Sequence, residues 1–414
     1  MRTRVRELAA PVGLAGALAA LLAWLGLRTV AFTDYEVEAE PALHALRDGD
    51  LQAFVELLPA YGASLVLRSP FALLPDALGG GDLALFRSMA LPCLAAGVFL
   101  GVLLWHRARL AGASRRSGIA VLVLCAGNPL TLRALEIGHP EELLGGALCV
   151  GAVLAAGASR PLLAGVLLGL AAANKPWALL AAAPVVLTLS GGRARAIAAA
   201  AATAALFAVP LALLGSPAIA QSGAVARDAG DIFQPWQIWW FVGDHGQPVF
   251  GLTGEKVGFR AAPGWVGEVA RPLVVLVPLA LCLALARRLR GRPWHDGLLL
   301  LALVLLLRCL LDTWNVVYYE LPFLLALVAW EVHARPGSLP TFSLAAALLC
   351  WVTLEQLTTQ ASPDVQAIAF LAWSVPAAGA MLMTLVRPPA AQRVAARVRA
   401  RRAAPARAPL AEPH

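Results

Sequence analysis

Ionisable side chains lie at the ends of long apolar segments in this sequence, where few other charged residues are found. Asp34 is the first acidic residue after the first apolar segment, and Glu36, Glu38 and Glu40 follow at alternate positions. A carboxylate can act as a general base on a substrate hydroxyl, whereas cationic side chains can bind a phosphate leaving group. We therefore predict that Asp34 and Glu36 face a reaction site and that Glu38 is solvated. Glu40 is predicted either to be solvated or to be a favourable charge near a helix N-terminus.

Further candidates lie in turns between later apolar segments. The turn "GHPEE" follows a helix on which Arg133 can pair with Glu136, and Lys175 lies at the apex of a helical hairpin that Pro176 interrupts. An ionisable residue inside a membrane costs roughly 2.5–3.5 kcal/mol, so each one near a span is a functional candidate. These later candidates are Arg68, Arg133, His139, Glu141, Glu142, Lys175, Asp312, Trp314, Asn315 and Tyr318.

The composition predicts the kind of protein that positions these residues. Of its 414 residues, 59% are hydrophobic and 14% are charged, against about a quarter charged in soluble domains, and the mean hydropathy is +0.72. Six cysteines fall in or beside apolar runs without metal-ligand spacing, so we interpret them as packing residues. The sequence predicts an all-α polytopic membrane protein. Its twelve predicted spans are 8–30, 83–105, 118–137, 141–158, 161–174, 177–190, 196–214, 268–286, 297–311, 316–331, 341–357 and 366–386.

The charge distribution predicts the orientation. With twelve spans, the arginine clusters all fall on one face, which is the cytoplasmic face by the positive-inside rule, together with both termini. The net charge of +8 then reflects orientation and attraction to membrane lipids, and no nucleic-acid partner is needed. Segments 34–82 and 215–267 are two long extracytoplasmic loops. The second carries Trp236, Trp239 and Trp240, which are expected to be interfacial anchors, with a substrate platform as the alternative. Residues 1–386 form the membrane domain, and the basic tail 387–414 is predicted to be disordered and cytoplasmic.

Three stretches resemble a known enzyme family. The first helix ends in Asp34 and is followed by an amphipathic stretch with "LRDGD", which resembles the opening of C-type (GT-C) glycosyltransferases. The turn "LEIGHPEELLGGALCVGAVLAA" is similar to the "GQ-x-N-x-L-L" turn of glycosyltransferase family 87, with His139 where glutamine is usual. The segment "AGVLLGLAAANKPWALLAAAPVVL" is similar to the "AG-x-x-x-G-L-A-A-x-x-K-x-x-P" hairpin of that family. The similarity covers most of residues 8–331.

The resemblance implies a GT-C-like bundle and an inverting hexosyltransferase, with Asp34 as general base. The implied donor is a polyprenyl-phosphate sugar, most often mannose in the family, and the acceptor is a cell-envelope glycolipid or glycan at a bacterial plasma membrane. No metal or other cofactor is expected. The residues expected at the donor phosphate or sugar are Lys175, Arg133, His139, Arg68 and Tyr318. Those expected at the acceptor or sugar are Glu36, Glu141, Glu142, Asp312, Trp314 and Asn315.

One departure and two alternatives stay open. The family often has a histidine before the tenth helix, where this chain has "DTWNVVYY". Either Asp312 and Tyr318 substitute for it, or the donor sugar differs from mannose. The broken hairpin at Lys175 also suits a transporter or flippase of lipid-linked sugars, although we find no internal repeat. A non-catalytic scaffold would tolerate substitution of Asp34.

Overall fold

Helices occupy the predicted spans. The structure is a computed structural model that describes residues 2–59, 61–77, 80–214, 232–244, 249–250 and 256–387. The tail prediction therefore lies outside the described residues apart from Arg387, as does part of the predicted loop 215–267. Numbered along the described chain, the α-helices are α1 (Arg2–Gly26), α2 (Glu40–Arg47), α3 (Leu51–Glu56), α4 (Gly62–Arg68), α5 (Leu74–Ala77), α6 (Asp82–Leu110), α7 (Arg115–Ala126), α8 (Pro129–Ile137), α9 (Glu141–Gly157), α10 (Pro161–Asn174), α11 (Ala182–Thr188), α12 (Arg193–Leu214), α13 (Gly264–Leu289), α14 (Asp296–Leu311), α15 (Leu321–Ala334), α16 (Thr341–Leu354) and α17 (Pro363–Val386).

Shorter elements connect these helices. A π-helical turn spans Tyr35–Ala39, directly before α2. Two small antiparallel pairs join Ile232–Phe233 to Arg260–Ala261 and Val249–Phe250 to Lys256–Gly258. Within the described residues, the 3-10 helices are Ser69–Leu73, Pro176–Ala181, Trp240–Val242, Val317–Glu320 and Gln356–Thr359.

The prediction of an all-α membrane protein is confirmed. Within the described residues, seven helical segments are long and apolar enough to cross a membrane, and two shorter apolar helices cover Pro161–Asn174 and Pro176–Thr188. The other predicted spans correspond to α9, α14 and α15, which are mostly buried inside the bundle. The total of twelve crossings stays a prediction. The seven long segments are Leu8–Gly26, Asp82–Leu110, Arg115–Ile137, Arg193–Leu214, Gly264–Leu289, Thr341–Thr359 and Pro363–Val386.

Local sequence signals explain the helix boundaries beside the polar turns. Asn128 caps α8 through its side-chain oxygen, which accepts from the Thr131 amide at 3.0 Å, and proline follows at the first helical position. Helix α10 ends at Asn174, and Lys175 is extended before Pro176 begins a 3-10 helix. The predicted break in the hairpin is therefore confirmed.

The tryptophan-rich loop packs on the protein, which corrects the sequence interpretation. Trp236 and Trp240 are buried, and Trp239 is half-buried. The indole N–H of Trp236 donates to the Thr353 carbonyl at 3.0 Å, and that of Trp240 donates to the Asp364 carboxylate at 2.8 Å. Because buried indoles satisfied by protein acceptors cannot lie among lipid headgroups, the prediction that these two are interfacial anchors is wrong.

Small residues allow α10 and α12 to pack closely. A Cβ added to Gly165 would lie 2.3 Å from the Ala196 carbonyl oxygen, and one added to Gly169 would lie 2.6 Å from that of Ala200. Helices in membranes associate largely through such close backbone contacts. The six cysteines are also buried, which confirms their interpretation as packing residues.

We expect Gly165→Ala to lower the stability of the bundle by about 1–3 kcal/mol, because overpacking forces the two helices apart. Thermal unfolding of the purified protein in detergent measures this loss. The control is Gly16→Ala in α1, where an added Cβ meets no atom within 4 Å. Equal unfolding temperatures for the two variants would contradict the close contact between α10 and α12.

Candidate functional site

The segment that carries Asp34 lies against the turn between α8 and α9. Gly138 ends α8 with φ +105°, and a Cβ there would lie 2.6 Å from the Tyr35 backbone nitrogen. Only glycine suits both the left-handed backbone and this approach. The contact brings His139 to Asp34, with 3.0 Å between His139 Nε2 and Asp34 Oδ2.

Glu141 is the centre of a buried charge cluster. Its carboxylate is 0% exposed and lies 2.8 Å from His139 Nδ1, 2.9 Å from Lys175 Nζ and 3.4 Å from Arg68 Nη2. These contacts join the end of α4, the α8–α9 turn, the start of α9 and the hairpin break at Lys175. The structure therefore brings together five of the residues predicted from the sequence, with Asp34 at the exposed end.

Two uncharged residues that the sequence interpretation missed support this cluster. Asn174 donates to the Glu141 carbonyl at 2.8 Å, and the Ser64 hydroxyl donates to the Asn174 side-chain oxygen at 2.9 Å. Arg68 also donates to the carbonyls of Ser64 and Met89, both at 3.3 Å. The sequence signal that could have identified Asn174 is an asparagine at the end of an apolar helix, because a buried polar side chain needs a hydrogen-bond partner.

Aromatic rings line the same cluster. Lys175 Nζ lies 3.9 Å from the ring centroid of Tyr61, within cation–π range. The His139 ring lies 6.0 Å from Tyr61 and 4.9 Å from Tyr318, between centroids. Tyr318, a predicted site residue, therefore lies beside His139, whereas the sequence interpretation did not single out Tyr61.

The pKa of His139 determines the net charge of the five charged side chains in this cluster. Burial and the ammonium of Lys175 lower the pKa of His139, but the carboxylate of Glu141 and hydrogen bonds to Asp34 and Glu141 outweigh both and raise the pKa to about 9. His139 is therefore an imidazolium at neutral pH. Three cations and two carboxylates leave the cluster with one net positive charge.

Glu142 belongs to a neighbouring polar group. Its carboxylate accepts from the Trp177 indole at 3.0 Å and lies 3.6 Å from Arg308 Nη1. The Arg308 guanidinium carbon lies 4.7 Å from the Trp177 ring and 4.2 Å from the Tyr319 ring, in both cases from the ring centroid. Arg308 is a candidate by sequence because it is an arginine at the end of a predicted span, although the sequence assigned it no specific role.

The remaining candidates in the turn before α15 have local partners. Asp312 accepts from the Trp314 amide at 3.0 Å, and burial raises the pKa of its carboxyl. Asn315 donates to the Glu320 carboxylate at 2.7 Å and to the Trp236 carbonyl at 2.8 Å. This turn is therefore fixed from within and by the tryptophan-rich loop.

Arg133 makes its ion pairs away from the Glu141 cluster. Its guanidinium contacts Glu136 at 3.1 Å, which confirms the predicted pair, and Glu355 at 3.0 Å. Glu36 is exposed, and its carboxylate accepts from the Phe32 amide at 2.8 Å.

The two further acidic residues have different outcomes. Glu38 is half-buried rather than solvated, and its Oε2 is buried. Glu40 is also half-buried and lies in the first turn of α2, which agrees with the alternative prediction of a charge near a helix N-terminus. The segment after Asp34 folds back against the bundle, so part of its acidic face is covered.

The pKa of His139 predicts a pH dependence. Because the pKa of about 9 in the folded protein lies above the ordinary histidine pKa of 6.5, the charged histidine stabilises the fold fully below pH 6.5. This contribution is lost as the pH rises through 9. We expect the stability difference between wild type and His139→Gln to fall by about 2–3 kcal/mol from pH 7 to pH 10. Unfolding temperatures across this range measure it.

The matched control for this pH dependence is His295→Gln. Burial lowers the pKa of His295 below 6.5, so its difference from wild type stays flat above pH 7. A flat difference for His139→Gln as well would contradict a charged His139.

The family of the chain follows from comparison with known proteins. A search of curated proteins found no match. A family model described as "Glycosyltransferase family 87" matches residues 63–313, which is more than half of the chain. The matched region includes the α8–α9 turn, the hairpin break and Arg308, and it begins after Asp34. The chain belongs to glycosyltransferase family 87 and is a membrane glycosyltransferase.

Proposed function

We propose that Asp34 is the general base in the transfer of a hexose, namely mannose, from a polyprenyl-phosphate donor to a hydroxyl of an envelope glycolipid or glycan. Family membership supports the transferase over the lipid-linked sugar transporter. The observation that carries the proposal is the pairing of a half-exposed Asp34 with a buried His139, which Glu141 in turn holds.

Asp34 has the access and the orientation that a base needs. Its side chain is 51% exposed, whereas that of His139 is 7% exposed. The described contact uses Oδ2, which leaves Oδ1 to accept a proton. A carboxylate held by a fixed partner meets the acceptor hydroxyl in one geometry, which reduces the entropic cost of reaction. His139 orients this base and, being protonated, cannot replace it at neutral pH.

The proposed reaction is a direct displacement. The acceptor oxygen bonds to the anomeric carbon as its proton passes to Asp34, while the bond from that carbon to the phosphate oxygen breaks and the phosphate leaves with the electron pair. A single displacement inverts the anomeric configuration. The developing phosphate charge needs cationic partners, and Lys175 and His139 are the cations next to Asp34 and Glu141. Because these side chains supply the charge, the proposal needs no metal cofactor.

The other candidates take supporting roles in this proposal. Arg68 is buried and bonded to protein atoms, so we assign it to holding Glu141 rather than to direct contact with the donor. Glu36 is placed near the acceptor because it is exposed two residues after Asp34. Tyr318 lies beside His139 and is assigned to the donor sugar. Glu142, Asp312, Trp314 and Asn315 are assigned to shaping the sugar site.

The proposed topology puts this chemistry on the extracytoplasmic face of a bacterial plasma membrane, with both termini in the cytoplasm. It follows from the arginine distribution in the sequence. A lipid-linked donor and an envelope acceptor would then meet at the same face.

Asp34→Asn should lower sugar transfer by about 100- to 10,000-fold while donor binding is retained, because the amide keeps the shape but cannot take the proton. The assay uses purified protein, a panel of radiolabelled polyprenyl-phosphate sugars and envelope lipid extract as acceptor. The control is Asp48→Asn, an exposed acid on the same segment, which should leave turnover unchanged.

Each outcome of this assay has a distinct meaning. Donor binding without turnover by the wild type would favour the transporter. Equal turnover by wild type and Asp34→Asn would remove Asp34 from the role of base. Turnover with only one sugar of the panel would identify the donor.

Lys175→Gln should weaken donor binding by about 10- to 150-fold, because it removes a charge-assisted contact worth roughly 1.5–3 kcal/mol. The matched variant is Arg133→Gln, which also removes one positive charge but whose described partners are Glu136 and Glu355. Donor titration should show the loss in the first variant alone. The same loss of donor binding in both variants would support the sequence prediction that Arg133 contacts the donor phosphate.

A further inference from the structure

A second group of polar side chains lies beyond the proposed site, where α2 meets the start of α6. Glu40 and His44 are one helical turn apart on α2, and Asp82 is the first residue of α6. One atom from each of these residues, His44 Nε2 and a carboxylate oxygen of each acid, lies within 4.8 Å of the other two. Both acids and the histidine are accessible to solvent, unlike the Glu141 cluster.

The separations fit shared coordination of one ion, and they are long for direct hydrogen bonds. His44 Nε2 lies 3.4 Å from Glu40 Oε1 and 3.4 Å from Asp82 Oδ1. An N–H···O hydrogen bond is usually about 2.9–3.0 Å long. Two ligands bound 2.0–2.1 Å from a tetrahedral zinc ion lie about 3.3–3.4 Å apart. The two distances from one imidazole nitrogen to two separate carboxylates therefore match those expected between ligands that share an ion.

We propose that Glu40, His44 and Asp82 bind one zinc ion, with water as the fourth ligand. The two carboxylates supply negative charge, and the nitrogen ligand favours zinc over magnesium or calcium, which prefer all-oxygen sites. Arg47 Nη1 lies 3.9 Å from the same Asp82 oxygen. It is placed as an outer-shell partner that orients the ligating carboxylate.

The ion would join the segment after Asp34 to the transmembrane bundle. Tyr35 follows Asp34 directly, and its ring lies 4.3 Å from that of Phe86, one turn after Asp82 on α6. Zinc bound between α2 and α6 would therefore hold the segment of Tyr35 and the helix of Phe86 together. Its role is structural, so it stands independently of the proposed role of Asp34 in sugar transfer.

Zinc binding by the full-length protein tests the site. The protein is purified with an affinity tag that contains no histidine, treated with chelator, supplied with zinc and exchanged into metal-free buffer. We expect about one zinc per chain by mass spectrometry, and a rise in unfolding temperature of about 3 °C at zinc roughly 100-fold above its Kd. Magnesium at the same concentration should produce no rise.

Substitutions locate the ion. His44→Gln and Glu40→Gln should each weaken zinc affinity by at least about 100-fold, and Arg47→Gln by about 10- to 100-fold, as expected for outer-shell partners. The control is His295→Gln. His295 also lies near a carboxylate, 4.0 Å from Asp296, but Asp296 pairs with Arg292 and is not part of the proposed zinc site. Unfolding temperatures in chelator show whether each variant folds.

The proposal is overturned if the wild type retains no zinc, or if the His44 and Glu40 variants retain as much as the wild type. In that case, His44 is only a polar contact between α2 and α6. If the wild type binds zinc but the Asp48→Asn control of the transfer assay is inactive, the transfer assay is in doubt and the zinc site is not.

Discussion

A carboxylate removed from water loses hydration worth several kcal/mol, and the protein must replace it with partners of opposite charge. Glu141 is completely buried at the start of α9, and three cations surround it: His139, Lys175 and Arg68. Each comes from a different part of the chain. Folding therefore has to bring the end of α4, the α8–α9 turn and the hairpin break to one place. Any other arrangement leaves a buried charge unpaired. The position of Asp34 depends on this constraint through His139.

A chain of contacts from the buried core holds the exposed carboxylate of Asp34 in place. The bundle fixes Glu141, Glu141 fixes one nitrogen of His139, and the other nitrogen fixes Asp34. Gly138 allows this contact because its backbone and its distance from Tyr35 exclude a side chain. A reactive carboxylate on a loop after the first helix thus gains the positional precision of a residue on a packed helix.

The sequence predicted what depends on neighbouring residues and missed what depends on packing. Hydropathy located the helices, and the proline after Lys175 located the hairpin break, because both signals act over one or two turns of chain. The contact between Asp34 and His139 spans 105 residues. The sequence predicted that both residues lie at the outer face, but it did not predict that they touch. Periodicity also could not show that Trp240 lies inside the protein, since an indole suits a buried site and a lipid interface equally well.

The two adjacent glutamates at the start of α9 show how one turn serves two purposes. Neighbours on a helix point about 100° apart, so Glu141 faces Lys175 while Glu142 faces Trp177. Asn174 bonds the Glu141 carbonyl, so three residues of the hairpin break hold two residues of α9. A continuous helix would point successive side chains around its axis, whereas the extended residue and 3-10 turn allow them to face the same helix end. The positive end of the α9 dipole also favours both carboxylates there. The proline break is therefore what lets the hairpin bind α9 through charge, hydrogen bond and indole together.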